Sequence, residues 1–190
     1  MGRTEISVSE IGLGGEWLNG LDKHLVEDII NRAVDNDINF FDFLFNELSY
    51  IKNIGNAIQE HREDIILQCH LGTGEKDGKP KRERNVKKNK KLFDRTLSYL
   101  NTNYVDIINI QFIREKEYKK LIGENGLLNL ANQLKAEEKA HYIGASTHNI
   151  NIGIDLAEKG YVDTIMFPIN IANHFLERRK EFLSICKKIR

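Results

Sequence analysis

Two cysteines, Cys69 and Cys186, stand in 190 residues. They lie far apart and fit no metal-ligand spacing, and two thiols cannot hold an iron–sulfur cluster. Such sparse cysteine suits a reducing cytoplasm. Net charge is also missing: Lys+Arg and Asp+Glu are both 28. No field therefore favours nucleic acid or an anionic membrane. No apolar run approaches the roughly 20 residues of a membrane span. The opening residues Met1-Gly2-Arg3-Thr4-Glu5 carry no apolar stretch resembling a signal peptide. His24, His61, His141, His148 and His174 show no metal-ligand spacing and are expected in surface or loop roles, so no metal is expected. No sequence repeat and no linker divides the chain. These absences leave a cytoplasmic protein with no nucleic-acid or membrane partner, able to form an oligomer. It is read as one domain over residues 1–190.

What is present is alternation. Ile38-Asn39-Phe40-Phe41 is short, apolar and aromatic, as a buried strand should be, and it ends on Asp42. Ile65 to Cys69 ends on His70. Val105 to Ile110 ends on Gln111. Tyr142-Ile143-Gly144-Ala145 ends on Ser146 and Thr147. Between these strands lie stretches with helical spacing, such as Leu21, Leu25, Ile29 and Ala33 over 21–36, and Val86, Phe93, Leu97 and Leu100 over 85–101. Further helices are expected near 49–60, from Leu127 to Leu134, over 150–159 and over 175–188. A first strand is expected over 10–14 and a sixth over 162–168. Gly2 to Val8 is expected as a leading hairpin, and Gly72 to Pro80 as a long loop. Six βα units in succession imply a parallel sheet with right-handed crossovers, hence an α/β barrel or a wound open sheet. In a barrel the polar strand ends converge on the face where catalytic groups sit.

Each candidate has a plain structural reading beside the chemical one. Asp42 is a strand-end carboxylate that could cap the next element. His70 could be a satisfied structural histidine. As a pair they could work in acid–base chemistry, since a nearby carboxylate favours the charged form of an imidazole. Glu47 is either an acid activated by burial or a solvated loop residue. Gln111 could orient a carbonyl or fill polar space. Tyr50 falls in a helix and is read as packing. Cys69 alternates with His70 on its strand and is read as core. Gly12-Leu13-Gly14-Gly15 is a tight first βα turn rather than a phosphate loop, because Trp17 stands where a third glycine belongs. The run Lys76 to Lys91, with nine Lys or Arg, is read as a solvated helix face.

Taken together, several segments resemble the aldo-keto reductase family. They are Gly2-Arg3-Thr4 through Val8-Ser9-Glu10-Ile11-Gly12-Leu13-Gly14, the strand ending Phe41-Asp42, Ile54-Gly55-Asn56-Ala57-Ile58, Tyr104-Val105-Asp106 and Ile143-Gly144-Ala145-Ser146-Thr147. The resemblance implies a (β/α)8 TIM barrel that binds NADP or NAD and reduces a small carbonyl compound. It implies catalytic positions at Asp42, Glu47, His70 and Gln111, and cofactor contacts at Gly14, Gly15, Asp42, Ser146 and Thr147. Three of the four catalytic positions depart from the family's Asp-Tyr-Lys-His set: Glu47 stands for Tyr, His70 for Lys and Gln111 for His. Met166 stands where the family has Gln. Cys69-His70-Leu71-Gly72 resembles a divergent bacterial branch with His in place of Lys. Members of that branch often carry a ferredoxin-like tail, which is not expected here. A full family barrel has eight βα units, and six are read here, so a barrel lacking its last two units is expected. Two further readings stay open: an inactive barrel used for binding or scaffolding, and a barrel enzyme that uses Asp42 and His70 without nicotinamide.

Overall fold

The computed structural model describes residues 1–44, 48–76, 79–173 and 175–188. Among these, eight strands are found: β1 (Gly12–Gly14), β2 (Phe40–Phe43), β3 (Ile66–Leu71), β4 (Thr73–Lys76), β5 (Lys79–Arg82), β6 (Val105–Ile110), β7 (Ala140–Ser146) and β8 (Thr164–Met166). Six of them form one sheet in the order β1-β2-β3-β6-β7-β8, parallel throughout. The helices are α1 (Lys23–Val34), α2 (Leu48–Ala57), α3 (Val86–Leu100), α4 (Glu115–Ile122), α5 (Leu127–Ala136), α6 (Ile150–Glu158) and α7 (Arg179–Lys188). The sheet curls with its helices outside, giving part of a (β/α)8 barrel, as the resemblance implied, and not the wound open sheet that the alternation alone also allowed. No helix among the described residues is long and apolar enough to cross a membrane.

Side-chain alternation divides each strand between two faces. Phe41, Leu67, Leu71, Ile108 and Ala145 are fully buried under the helices. Cys69 lies with them in the core, and burial pushes its thiol up to about 12. The concave face receives the alternate residues: Asp42, then Gln68 and His70, then Ile107 and Asn109, then Gly144 and Ser146. Parallel register brings these level, with Asp42 beside Gln68 and His70 beside Asn109, itself beside Gly144. A Cβ on Gly144 would sit 2.7 Å from Thr164 Oγ1 and 3.1 Å from Asn109 Oδ1, so glycine is needed at that crowded point.

Caps fix where the helices start. Asp22 Oδ1 accepts from Leu25 N at 3.1 Å ahead of α1, and Asn85 Oδ1 accepts from Lys88 N at 2.9 Å ahead of α3. Asn149 Oδ1 accepts from the amides of Asn151 and Ile152 ahead of α6. At the base of the sheet, Arg62 and Asp106 form a buried ion pair at 3.0 Å. Asp106 Oδ2 also accepts from Leu67 N, while Arg62 bonds the carbonyls of Ile65 and Tyr104 and lies over the Tyr104 ring.

Three expectations are corrected. The leading residues form a short 3-10 turn, Gly2–Thr4, and no hairpin; Thr4 Oγ1 donates to Met1 O and stabilises it. The loop after β3 holds the β4–β5 hairpin, because Asn89 on α3 bonds Gly72 N, Glu83 O and Asn85 O and so fixes both ends of the excursion. The short helix α4 also lay outside the sequence reading; it is polar and buries only Leu121.

Candidate active site

The strand ends build one mouth. A cavity of about 330 Å³ lies there, walled on one side by Asp42, His70, Gln111 and Ser146. Phe112, His148, Met166 and Phe167 line it on the other. Its size falls within the ordinary range for small-molecule sites. A second cavity of about 390 Å³ lies lower in the half-barrel, beside Phe40, Gln68 and Thr164. The charged groups lining that one, Arg3 and Asp163, are paired at 3.3 Å.

Asp42 and His70 are joined. His70 Nε2 lies 2.6 Å from Asp42 Oδ1, and Gln68 Nε2 donates to the same oxygen at 2.9 Å. Asn109 Nδ2 donates to His70 Nδ1 at 3.3 Å. In this arrangement Nδ1 accepts, so Nε2 carries the proton directed at Asp42. Asp42 Oδ2 makes no hydrogen bond among the described residues, and the side chain is 23% exposed against 2% for His70. Burial presses upward on the Asp42 carboxyl, but the hydrogen bonds from His70 and Gln68 outweigh it and leave the pKa below the usual carboxylate value.

This geometry surrounds His70 with partners. Both ring nitrogens are engaged inside the protein, and the side chain is only 2% exposed although it forms part of the cavity wall. His70 therefore orients Asp42 and has no free nitrogen to offer a substrate. Tyr50 is 2% exposed, packed edge-on against Phe43, and burial raises its pKa. The nearby charges of Asp42 and Glu16 add to that rise. Glu47 lies outside the described residues.

The other candidates separate by face. Ser146 accepts from Phe112 N at 2.7 Å and donates to Gln111 Oε1 at 3.3 Å. Gln111 thus keeps its Nε2 without a hydrogen bond at the cavity wall. Thr147 is fully buried and donates to Ile113 O at 2.9 Å, so it does not line the cavity. Gly14 sits level with Asp42 across the β1–β2 ladder, and a Cβ there would meet nothing within 4 Å. Gly15 is buried, and a Cβ there would lie 2.2 Å from the Phe43 ring, which explains that glycine by packing.

Two wall residues escaped the sequence reading. Glu16 follows Gly15 and lines the cavity. His148 follows Ser146-Thr147 and presents an exposed ring, held edge-on to Phe112 with centroids 4.7 Å apart. Phe112 has φ +44°, an uncommon value for a non-glycine residue. Its place directly after Gln111 at the mouth was the available signal.

Comparison with known proteins follows the same lines. The model of the Aldo/keto reductase family matches residues 10–188. The uncharacterized oxidoreductase YqkF of Bacillus subtilis (strain 168) is 26% identical over 194 residues, which cover 99% of this chain and 60% of that protein. This chain thus spans about 60% of the length of that curated relative. Among solved structures, the aldo-keto reductase AKR11C1 from Bacillus halodurans, in its holo form, superposes with a TM-score of 0.81 at 22% identity. That match covers 100% of this chain and 62% of the other. The glycerol dehydrogenase AKR11B4 from Gluconobacter oxydans gives 0.73 at 22% identity, covering 97% and 58%.

Proposed function

The chain belongs to the aldo/keto reductase family, and we propose that it is an oxidoreductase reducing a small carbonyl compound at the β-strand mouth with NADPH or NADH. The observation that carries this reading is the Asp42–His70 pair, bonded at 2.6 Å and opening on a cavity of about 330 Å³ at the ends of parallel strands. The lining suits a nicotinamide. Gln111 Nε2 is an unbonded amide donor for a carboxamide or carbonyl oxygen. Phe112, Met166 and Phe167 are flat or pliable apolar walls, and the space beside Gly14 is open. Asp42, Gln111 and Ser146 are the residues that would hold it. When bound, a reduced nicotinamide supplies the hydride.

The protein's part is then to orient the carbonyl and give its oxygen a proton. Asp42 is held as a carboxylate, so it is no donor near neutral pH. His70 is closed off by its two partners. His148 has its imidazole on the cavity wall, with ring contact to Phe112 and no hydrogen bond. It is the group we assign as general acid, giving its ring proton to the carbonyl oxygen as the carbon takes the hydride. Gln111 Nε2 steadies that oxygen. His70 acts through Asp42 as a positioning residue. Both cysteines are free, which fits the cytoplasm.

A second reading, an inactive barrel that binds or scaffolds, is favoured by one observation: the tyrosine nearest the family's donor position, Tyr50, is buried at 2% exposure. Steady-state consumption of NADPH and of NADH with a panel of small aldehydes separates the two. Turnover in the wild type, falling sharply in His148→Gln, supports the enzyme. Neither turnover nor nicotinamide binding favours the scaffold.

A further inference from the structure

The basic run after β3 does not behave as a solvated helix face. Its residues 79–84 leave the helix altogether, and Lys81, Arg82 and Arg84 among them wall a cavity of about 140 Å³ beside the mouth. This cavity shares Leu44, Gln111 and Phe112 with the candidate active site; Arg82 and Arg84 close its other side. The two arginines differ in what they have left to give. Arg84 bonds Glu117 through Nε and Nη2, Gly72 O through Nη1, and Phe112 O through Nη2. Gly72, at φ +94°, leaves no room for a Cβ beside that guanidinium. Arg84 is thus a fixed strut. Arg82 donates only Nη1, to Glu117 at 2.7 Å. Its Nε and Nη2 make no hydrogen bond among the described residues.

Charge in this corner is unbalanced. Glu117 faces both arginines, and Arg114 stands over the other side of the Phe112 ring at 5.1 Å, with Arg82 at 5.4 Å. Burial and the neighbouring Arg84 and Arg114 charges press the Arg82 pKa down against the pull of Glu117. Phe112, the wall common to both cavities, is held at φ +44° by Ser146 on one side and Arg84 on the other. A strained residue fixed between two cavities invites a functional reading.

We propose that this cavity is an oxyanion subsite, in which the free N–H groups of Arg82 bind the carboxylate or phosphate of a carbonyl substrate whose reacting end lies at Gln111 and His148. The substrate class is then a short aldehyde or ketone bearing an anion at its far end. This rests on the carbonyl-reductase reading above, and the test keeps the two apart. Two matched pairs serve as probes: 4-oxobutanoate against butanal, and glyceraldehyde 3-phosphate against glyceraldehyde. The wild type is expected to favour the anionic member in kcat/KM by roughly 10–100-fold, the worth of one charge-assisted contact. That ratio should collapse towards one in Arg82→Gln and be partly kept in Arg82→Lys. The pair giving the larger ratio tells carboxylate from phosphate. Equal ratios in wild type and Arg82→Gln, or a wild-type preference for the neutral members, overturn the proposal. If no probe turns over, the reductase reading fails, and calorimetric titration with inorganic phosphate and with acetate decides the subsite alone. Binding lost in Arg82→Gln and retained in Arg82→Lys upholds it; no binding of either anion by the wild type rejects it.

Discussion

Asp106→Asn should unfold this protein far more readily than its site suggests. Asp106 lies at the base of β6, away from the mouth. Its Oδ2 accepts from Arg62 Nη2 at 3.0 Å and from Leu67 N at 2.9 Å. The side chains are 13% and 10% exposed, so the pair is largely screened from water. Asparagine can still accept from the Leu67 amide, but it removes the charge that balances Arg62. Breaking a buried pair on one side typically costs about 3–5 kcal/mol, because the remaining charge is left uncompensated. Arg62 keeps the carbonyls of Ile65 and Tyr104, Thr102 Oγ1 and the Tyr104 ring, which together soften that loss. The lower end, about 3 kcal/mol, is therefore expected. For a chain of this length that lowers the melting temperature by about 6–12 °C. Replacing both partners, as Arg62→Met with Asp106→Leu, should recover most of the loss, since no charge then stays buried. Urea unfolding of the two single variants and the double gives the coupling directly. A loss below about 1 kcal/mol in Asp106→Asn, or additive losses in the double variant, would show the reasoning to be wrong.

Four other outcomes follow from particular contacts. His148→Gln should lower kcat by about 10²–10⁴-fold, the range for general acid catalysis, while nicotinamide affinity measured by fluorescence titration changes little. Tyr50→Phe should leave turnover nearly unchanged, and a collapse there would return the donor role to a tyrosine. Gly55→Ala should cost about 1–3 kcal/mol in thermal melts, because the new Cβ would lie 2.2 Å from Tyr99 O where α2 crosses α3. Acid should destabilise the fold through Asp42 and Glu117. Both folded pKa values are depressed: burial pushes each upward but is outweighed, by His70 for Asp42 and by Arg84 and Arg82 for Glu117. Their stabilisation is full above the ordinary carboxylate pKa of about 4 and drains as pH falls through the depressed values. Glu117→Gln should flatten that acid limb in melts taken across the same pH range; an unchanged limb would rule its share out.

Much of the fold was legible because strands and helices carry different periods. The run ending at Phe41-Asp42 and the run ending at Ser146 declared buried strands with polar ends, and β2, β3, β6 and β7 lie where that pattern places them. The Gly55 motif was legible as a family likeness, and its physical cause is a helix crossing too close for any side chain. The β4–β5 hairpin was not legible, since Thr73–Lys76 and Lys79–Arg82 carry lysine, glycine and proline and no apolar alternation. What holds them is Asn89, distant in sequence. The site was partly legible. Strand ends named Asp42, His70, Gln111 and Ser146 as neighbours at one mouth. Alternation alone would have turned Thr147 away from Ser146's face. The enclosure of His70 depends on Asn109, which becomes its neighbour only through the β3–β6 register. His148 carries no motif, and only the curl of the sheet brings it to the cavity.

The central claim is hydride transfer at this mouth, and isotope transfer tests it most directly. The protein would be incubated with a small aldehyde and reduced nicotinamide cofactor carrying deuterium at its transferable position, and the product analysed by mass spectrometry and NMR. One deuterium is expected on the former carbonyl carbon, with the oxygen-bound proton drawn from water. Unchanged aldehyde across neutral and anionic probes with both NADPH and NADH, or an alcohol without deuterium on that carbon, would contradict it.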